Sequence, residues 1–125
     1  MSTASWMAVA LGGALGAPAR YLVDGAVAGR RAGPFPWGTL VVNVAGSFLL
    51  GVVTGLVLHH GLGATARAGL GVGFCGGFTT FSTFSYETLR LVEEGAGELA
   101  ARNVAANVVL ALGAATLGFG LTSIV

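Results

Sequence analysis

The side chains able to do chemistry in this sequence are aromatic, hydroxyl and amide groups set in apolar surroundings. In Gly73 to Glu87, GFCGGFTTFSTFSYE, Phe81 and Phe84 stand three residues apart with Ser82, Thr83 and Ser85 beside them, and Glu87 follows one turn after Thr83. A phenyl ring has a negative face and a positive edge, so ring edges hold a partly dehydrated anion without an immobile full charge, and hydroxyl groups add donors. Conduction demands binding strong enough for entry and weak enough for exit. Ring edges and neutral donors meet that demand better than a buried guanidinium. Periodicity alone leaves a second reading open, because rings three apart on a helix also serve as packing.

A second constellation lies upstream. Thr39, Asn43 and Ser47 recur every fourth residue in a stretch without any charge. Four residues turn a helix by about 400°, so the three drift only ~40° per step and form one polar stripe. Gly51 and Gly55 continue it as small residues at the spacing that lets two helices touch. The stripe reads either as interhelical glue or as the wall of an ion path, and Asn43 favours the wall because its amide donates two hydrogen bonds. Asn103 and Asn107 repeat the theme one turn apart, Asn103 lying near enough the end of its apolar stretch to be a cap or a snorkelling group.

Arg20 sits well inside an apolar helix, where an arginine costs ~2.5 to 3.5 kcal/mol even on a lenient insertion scale. Asp24, four positions on, is the expected salt-bridge partner, and a wet vestibule in which Arg20 concentrates anions is compatible with that pairing. His59 and His60 lack a third nearby ligand for a metal, and Glu93, Glu94 and Glu98 read as a solvated turn.

The elements that position these groups follow from composition. Of 125 residues, 54% are hydrophobic and 9% charged, which places the chain in lipid. With roughly 20 apolar residues per span, the length accommodates one domain of residues 1–125 with four transmembrane helices. The expected spans run from about Trp6 to Val27, Trp37 to Leu58, Thr65 to Val92 and Leu99 to Ser123, joined by GRRAGPFP, HHGLGA and EEGAGE. The N-terminus lacks the positive residues that precede a signal-peptide core and reads as the first span. The 22 glycines imply close helix packing. Six scattered arginines with no lysine, at a net charge of +1, give no nucleic-acid or polybasic lipid patch, and Cys75 stands alone as a packing residue. Arg30, Arg31, Arg90 and Arg102 lie on the side opposite the termini and Arg67 on the terminal side, which leaves orientation open.

The pair Gly76-Gly77, followed by Thr79 and Thr80, predicts that the third span is broken near Gly76 to Thr80. Irregular backbone survives at membrane depth only where protein buries it or where it lines an ion site, so a break there points to transport. Polar stripes on the second, third and fourth spans exceed what one thin subunit can hide from lipid, which predicts at least a homodimer.

GTLVVNVAGSFLLG (Gly38 to Gly51), followed by GFCGGFTTFSTFSYE, strongly resembles the CrcB/Fluc family of fluoride channels, and GGALGAPARY in the first span is similar to that family's opening pattern. The resemblance covers about the whole chain. It implies a multi-pass protein of the bacterial inner membrane that passively exports fluoride, built as an antiparallel, dual-topology homodimer with two pores. By match to the motif, Phe81 and Phe84 are the ion-contacting rings and Asn43 their amide neighbour. Ser82, Thr83 and Thr39 belong to the polar track, Arg20 to the vestibule and Glu87 to the far end. Gly76 and Thr79 give backbone carbonyls to a structural Na+ on the dimer axis. The fourth span departs from the family's aromatic and hydroxyl lining, placing Asn103, Asn107 and Ala111 one turn apart, with Asn107 able to donate to the ion.

Two other readings compete. A small drug/proton antiporter needs an intramembrane carboxylate in its first span, and Asp24 lies near that span's end. An assembly subunit accounts for the small-residue stripes but not for Asn43 together with a broken third span. No nucleophile, base and orienting residue form a set, so an enzyme is not expected.

Overall fold

Ser2 starts the first helix by accepting a hydrogen bond from the Ser5 amide at 3.1 Å, and from there the computed structural model, which describes residues 1–125, is helical with no strand. Helix α1 covers Thr3–Ala28 and carries Pro18 in its interior. Helix α2 covers Trp37–His60 and ends at Gly61, whose φ of 69° supplies the left-handed C-terminal stop. The third span is composite: α3 (Ala64–Arg67), a π-helical stretch (Ala68–Cys75), α4 (Gly76–Phe78), two extended residues, then α5 (Phe81–Glu93). After a turn through Gly95 (φ 79°), α6 covers Gly97–Ser123. Trp37–His60 and Gly97–Ser123 are long and apolar enough to cross a membrane, with mean hydropathies of 2.2 and 1.9.

Two seams hold the helices together, and glycine makes both. On the first seam, the repeat Gly69, Gly73, Gly77 packs against α1. A Cβ on Gly73 would lie 2.6 Å from the Val9 carbonyl oxygen, and one on Gly77 3.0 Å from that of Gly13. The four-residue spacing keeps these glycines close to one face through both the π-helical stretch and α4. On the second seam, Gly51 of α2 abuts the Ala115 carbonyl of α6, and Gly118 of α6 abuts Phe48 and Val52 of α2. The small residues after Ser47 are therefore used within the chain.

The break falls within the expected stretch, at its threonine end. Gly76 and Gly77 stay helical, and the chain leaves the helix at Thr79 (φ −78°, ψ 160°) and Thr80 (φ −148°, ψ 116°). Gly77 is glycine because α1 lies against it, not because the backbone bends there. Threonine suits the extended residues, since a β-branched side chain favours that conformation. The charges of the third turn are solvated as expected: Arg90 pairs with Glu94 at 3.0 Å and Arg102 with Glu98 at 2.7 Å, all exposed. His59 and His60 cap the far end of α6: His59 Nδ1 lies 2.9 Å from Thr122 Oγ1, and His60 Nε2 donates to the Thr122 carbonyl at 2.9 Å.

Candidate functional site at the broken helix

An extended pair inside a span strips two backbone groups of their helical partners, and at membrane depth these need replacements. Asn43 provides both. The Thr80 N–H donates to Asn43 Oδ1 at 2.8 Å, and Asn43 Nδ2 donates to the Thr80 carbonyl at 3.1 Å. A primary amide presents one acceptor and one donor side by side, so it reproduces the pairing of a neighbouring strand. Thr80 then caps α5: its Oγ1 accepts from the Thr83 N–H at 3.1 Å and donates to Thr83 Oγ1 at 3.0 Å. Thr79 Oγ1 donates back to the Cys75 carbonyl at 2.8 Å.

From Asn43 a ladder of side chains runs across α6 to α5. Asn43 Nδ2 also donates to Asn107 Oδ1 at 3.2 Å. Asn107 Nδ2 donates to the carbonyl and to Oδ1 of Asn103, both at 2.9 Å. Asn103 Nδ2 donates to Thr88 Oγ1 at 2.9 Å, and Thr88 Oγ1 to the Phe84 carbonyl at 2.8 Å. Asn103 is 0% exposed and Asn107 6%. Asn103 is thus neither a cap nor a snorkelling group; it joins α6 to the ring-bearing helix.

Phe81 and Phe84 lie on the open side of this ladder. Their ring centroids are 5.7 Å apart with planes tilted by 46°, and Phe81 is 79% exposed, which a core residue is not. A groove of about 410 Å³ runs past both rings, bordered also by Asn43, Asn107, Gly76 and Thr79. Most of its remaining border is small or apolar, including Ser47, Gly71, Val108 and Ala111, with no charged side chain. Gly76 faces open space: nothing lies within 4 Å of where its Cβ would be.

A second, smaller cavity of about 210 Å³ lies on the other side of Thr80, bordered by Arg20, Asp24, Thr39, Thr83 and Tyr21 among others. The expected Arg20–Asp24 bridge does not form: the ion pairs in the structure are Arg90–Glu94 and Arg102–Glu98. Arg20 Nη1 turns instead to the Thr79 carbonyl freed by the break, at 3.5 Å, the long limit of a hydrogen bond. The Asp24 carboxylate lies against Gly38 in the first turn of α2, where the positive end of the helix dipole favours it. Glu87 leaves its Oε1 buried without a partner. Ser82 is exposed, its Oγ 3.3 Å from Thr80 Oγ1.

All the predicted residues except Ser82 and Glu87 border one of two neighbouring cavities sharing the Thr80 wall. Asn43, Asn107, Phe81, Phe84, Gly76 and Thr79 border the groove, while Arg20, Thr39 and Thr83 border the smaller cavity. The polar stripe of α2 is split between them, with Thr39, 2% exposed, in the smaller cavity and Asn43 and Ser47 on the groove. Thr80, read in the sequence only as part of the break, and Thr88, not singled out there, both join this hydrogen-bond network. The pattern Thr80-x-x-Thr83 at a helix start is a visible capping signal for the first, whereas Thr88 gains its role only from the crossing of α5 and α6.

Comparison with known proteins accords with this geometry. The family described as CrcB-like protein, Camphor Resistance (CrcB), matches residues 7–119. "Fluoride-specific ion channel FluC 1" of Frankia casuarinae is 50% identical, over 94% of this chain and 95% of its own length. "Fluoride-specific ion channel FluC" of Nitrobacter winogradskyi is 49% identical over 95% of both chains, and the protein of that name from Geobacter sulfurreducens 50% identical over 85% of this chain and 86% of its own. A family match that spans nearly the whole sequence, joined by half-identical relatives of the same length, means that the chain belongs to the CrcB-like family.

Proposed function

We propose that this protein is a fluoride-selective channel that passively releases cytoplasmic fluoride, and that the groove beside Phe81 and Phe84 is one wall of its ion path. The observation that carries the reading is the pair of phenyl rings standing exposed beside an amide-braced helix break, on a groove with no charged side chain. A channel for a strongly hydrated anion must replace water contacts without trapping the ion. Ring edges and neutral hydrogen-bond donors do this, while Arg20, one wall away, raises local anion concentration from the smaller cavity. Thr39 and Thr83 supply hydroxyls along that side, and the family resemblance assigns Ser82 to the same polar track and Glu87 to its far end. Half-identical relatives named as fluoride-specific channels support the choice of ion. Nothing in this reading calls for catalysis.

The groove faces outward, and amides, hydroxyls and bare glycine backbone facing lipid are costly. A second copy of the chain covers it in our reading, in an antiparallel dual-topology homodimer within the bacterial inner membrane, giving two equivalent paths. The backbone at the break also fits a structural Na+ between the copies. The Thr80 N–H, which an unbroken helix directs to the Gly76 carbonyl, goes to Asn43, so the Gly76 carbonyl lacks its i+4 donor at a position open to the groove. Thr79 adds a second freed carbonyl, shared with Arg20. Carbonyl oxygens are hard donors suited to a small hard cation. Sodium is then expected to raise the melting temperature of the assembled protein above its value in a bulky organic cation; equal melting in both removes the ion from the account.

Fluoride efflux from proteoliposomes tests the function. Fast flux, driven only by the fluoride gradient and absent with chloride, is the expected result. A requirement for a proton gradient favours the antiporter, and no flux from a folded, reconstituted protein contradicts the channel.

A further inference from the structure

Asn43 has no free donor. Its orientation is fixed without reference to its own density of contacts, because the Thr80 backbone N–H can only donate, so the amide atom 2.8 Å away is Oδ1 and the other is Nδ2. Both hydrogens on Nδ2 are then engaged, one by the Thr80 carbonyl at 3.1 Å and one by Asn107 at 3.2 Å. The Asn107 atom receiving the second must be an acceptor, which fixes its amide too, and its Nδ2 accordingly faces Asn103 at 2.9 Å. An anion that takes a hydrogen bond from Asn43 must therefore displace an oxygen. The Thr80 carbonyl is half of the two-bond pairing that holds the break. Asn107 Oδ1 makes the longer bond, sits on a side chain, and borders the groove with Phe81 and Phe84.

Resting on the reading of that groove as the anion path, we infer that Asn107 Oδ1 is a built-in competitor that occupies the ion's place on the Asn43 donor, making Asn107 a residue that sets affinity and release. When the anion arrives, it takes the Asn43 N–H and the Asn107 oxygen withdraws, losing one hydrogen bond. The two bonds from Asn107 Nδ2 to Asn103 keep the side chain at hand to reclaim the donor and return the ion to the path. A neutral oxygen suits this role because its hold on the donor is weaker than that of a charged acceptor. The expected role of Asn107 as an ion donor is thereby reversed: its donors face Asn103, and it is its acceptor that meets the path.

Substitutions at Asn107 with opposite predicted signs test this, read as the half-saturating concentration of sodium fluoride for flux in proteoliposomes, with melting temperature measured in parallel. Asn107→Ala removes the competitor, so half-saturation falls by about fivefold, the factor that one net hydrogen bond confers, while the maximal rate drops as release slows. Asn107→Ser is too short to reach Asn43 but can back-bond within α6, so it repeats the effect if the alanine variant folds poorly. Asn107→Asp puts a charged acceptor on the same donor, and half-saturation rises or flux is lost. If Asn107 only braces Asn43, all three variants lower flux in step with melting temperature and leave half-saturation unchanged or raised, which overturns the inference while leaving the channel reading intact. A wild-type protein that passes no fluoride overturns the channel reading instead, and this inference with it.

Discussion

The two halves of the third span are built on opposite plans. From Ala64 to Phe78 the chain is glycine-rich, carries little polar side-chain chemistry, and lies so close to α1 that backbone meets backbone. From Phe81 to Glu93 it is strongly two-faced, with hydroxyls, Glu87 and exposed rings, and it is held to α6 by the asparagine ladder rather than by close glycine contact. The difference separates scaffold from site within one span. A half whose backbone is locked against a neighbour gives the break a fixed position, and a half held by directional side-chain bonds can present rings and donors to the groove. Asn43 stands at the joint, replacing with its amide the helical bonds that neither half can make.

Substitution should expose this contrast most forcefully in the scaffold half. Gly73→Val forces a branched side chain onto the Val9 carbonyl, where even a Cβ would sit at 2.6 Å, and backbone cannot yield as a flexible side chain does. Loss of folded, monodisperse protein is expected; a well-folded variant would show that the α1 seam is not tight. Next in size is Asn43→Leu, which keeps side-chain bulk but strands the Thr80 N–H and carbonyl. Two lost partners at ~1 to 3 kcal/mol each make flux and stability fall together. Asn43→Asp, which keeps the acceptor for the Thr80 N–H, should recover part of the melting temperature but not the flux. If Leu melts like wild type, the break does not depend on this amide. The smallest effect belongs to the solvated turn: Arg102→Ala removes an exposed i,i+4 pair of the kind worth ~0.3 to 0.5 kcal/mol, so flux and melting should hardly change.

How much of this was legible in the sequence depends on whether an interaction is local. The helices, the turns, the polar stripe of α2 and the side-by-side placing of Phe81 and Phe84 follow from spacing along the chain. The break is legible as the stretch Gly76 to Thr80, but not which of its residues unwind, because glycine in a membrane helix serves close packing as readily as bending, and only the position of α1 reveals which role Gly77 has. The Arg20–Asp24 pair was the local solution to a buried charge. The structure uses a distant one, since the freed Thr79 carbonyl and the start of α2 lie within reach only after folding. Likewise Asn103 was visible as a polar residue, but its bond to Thr88 depends on how α6 crosses α5.

The central claim is that the rings of the second half meet the ion rather than fill a core, and the measurement closest to it is fluoride flux and melting temperature taken together for Phe, Met and Ile at positions 81 and 84. Ile keeps apolar volume and loses the positive ring edge, and Met, polarizable and adaptable, lies between. With Phe81 79% exposed, little packing is at stake there. The account predicts that flux falls in the order Phe, Met, Ile at each position while melting temperature stays nearly flat. Flux that merely follows melting temperature, or Ile variants that conduct like wild type, would contradict it.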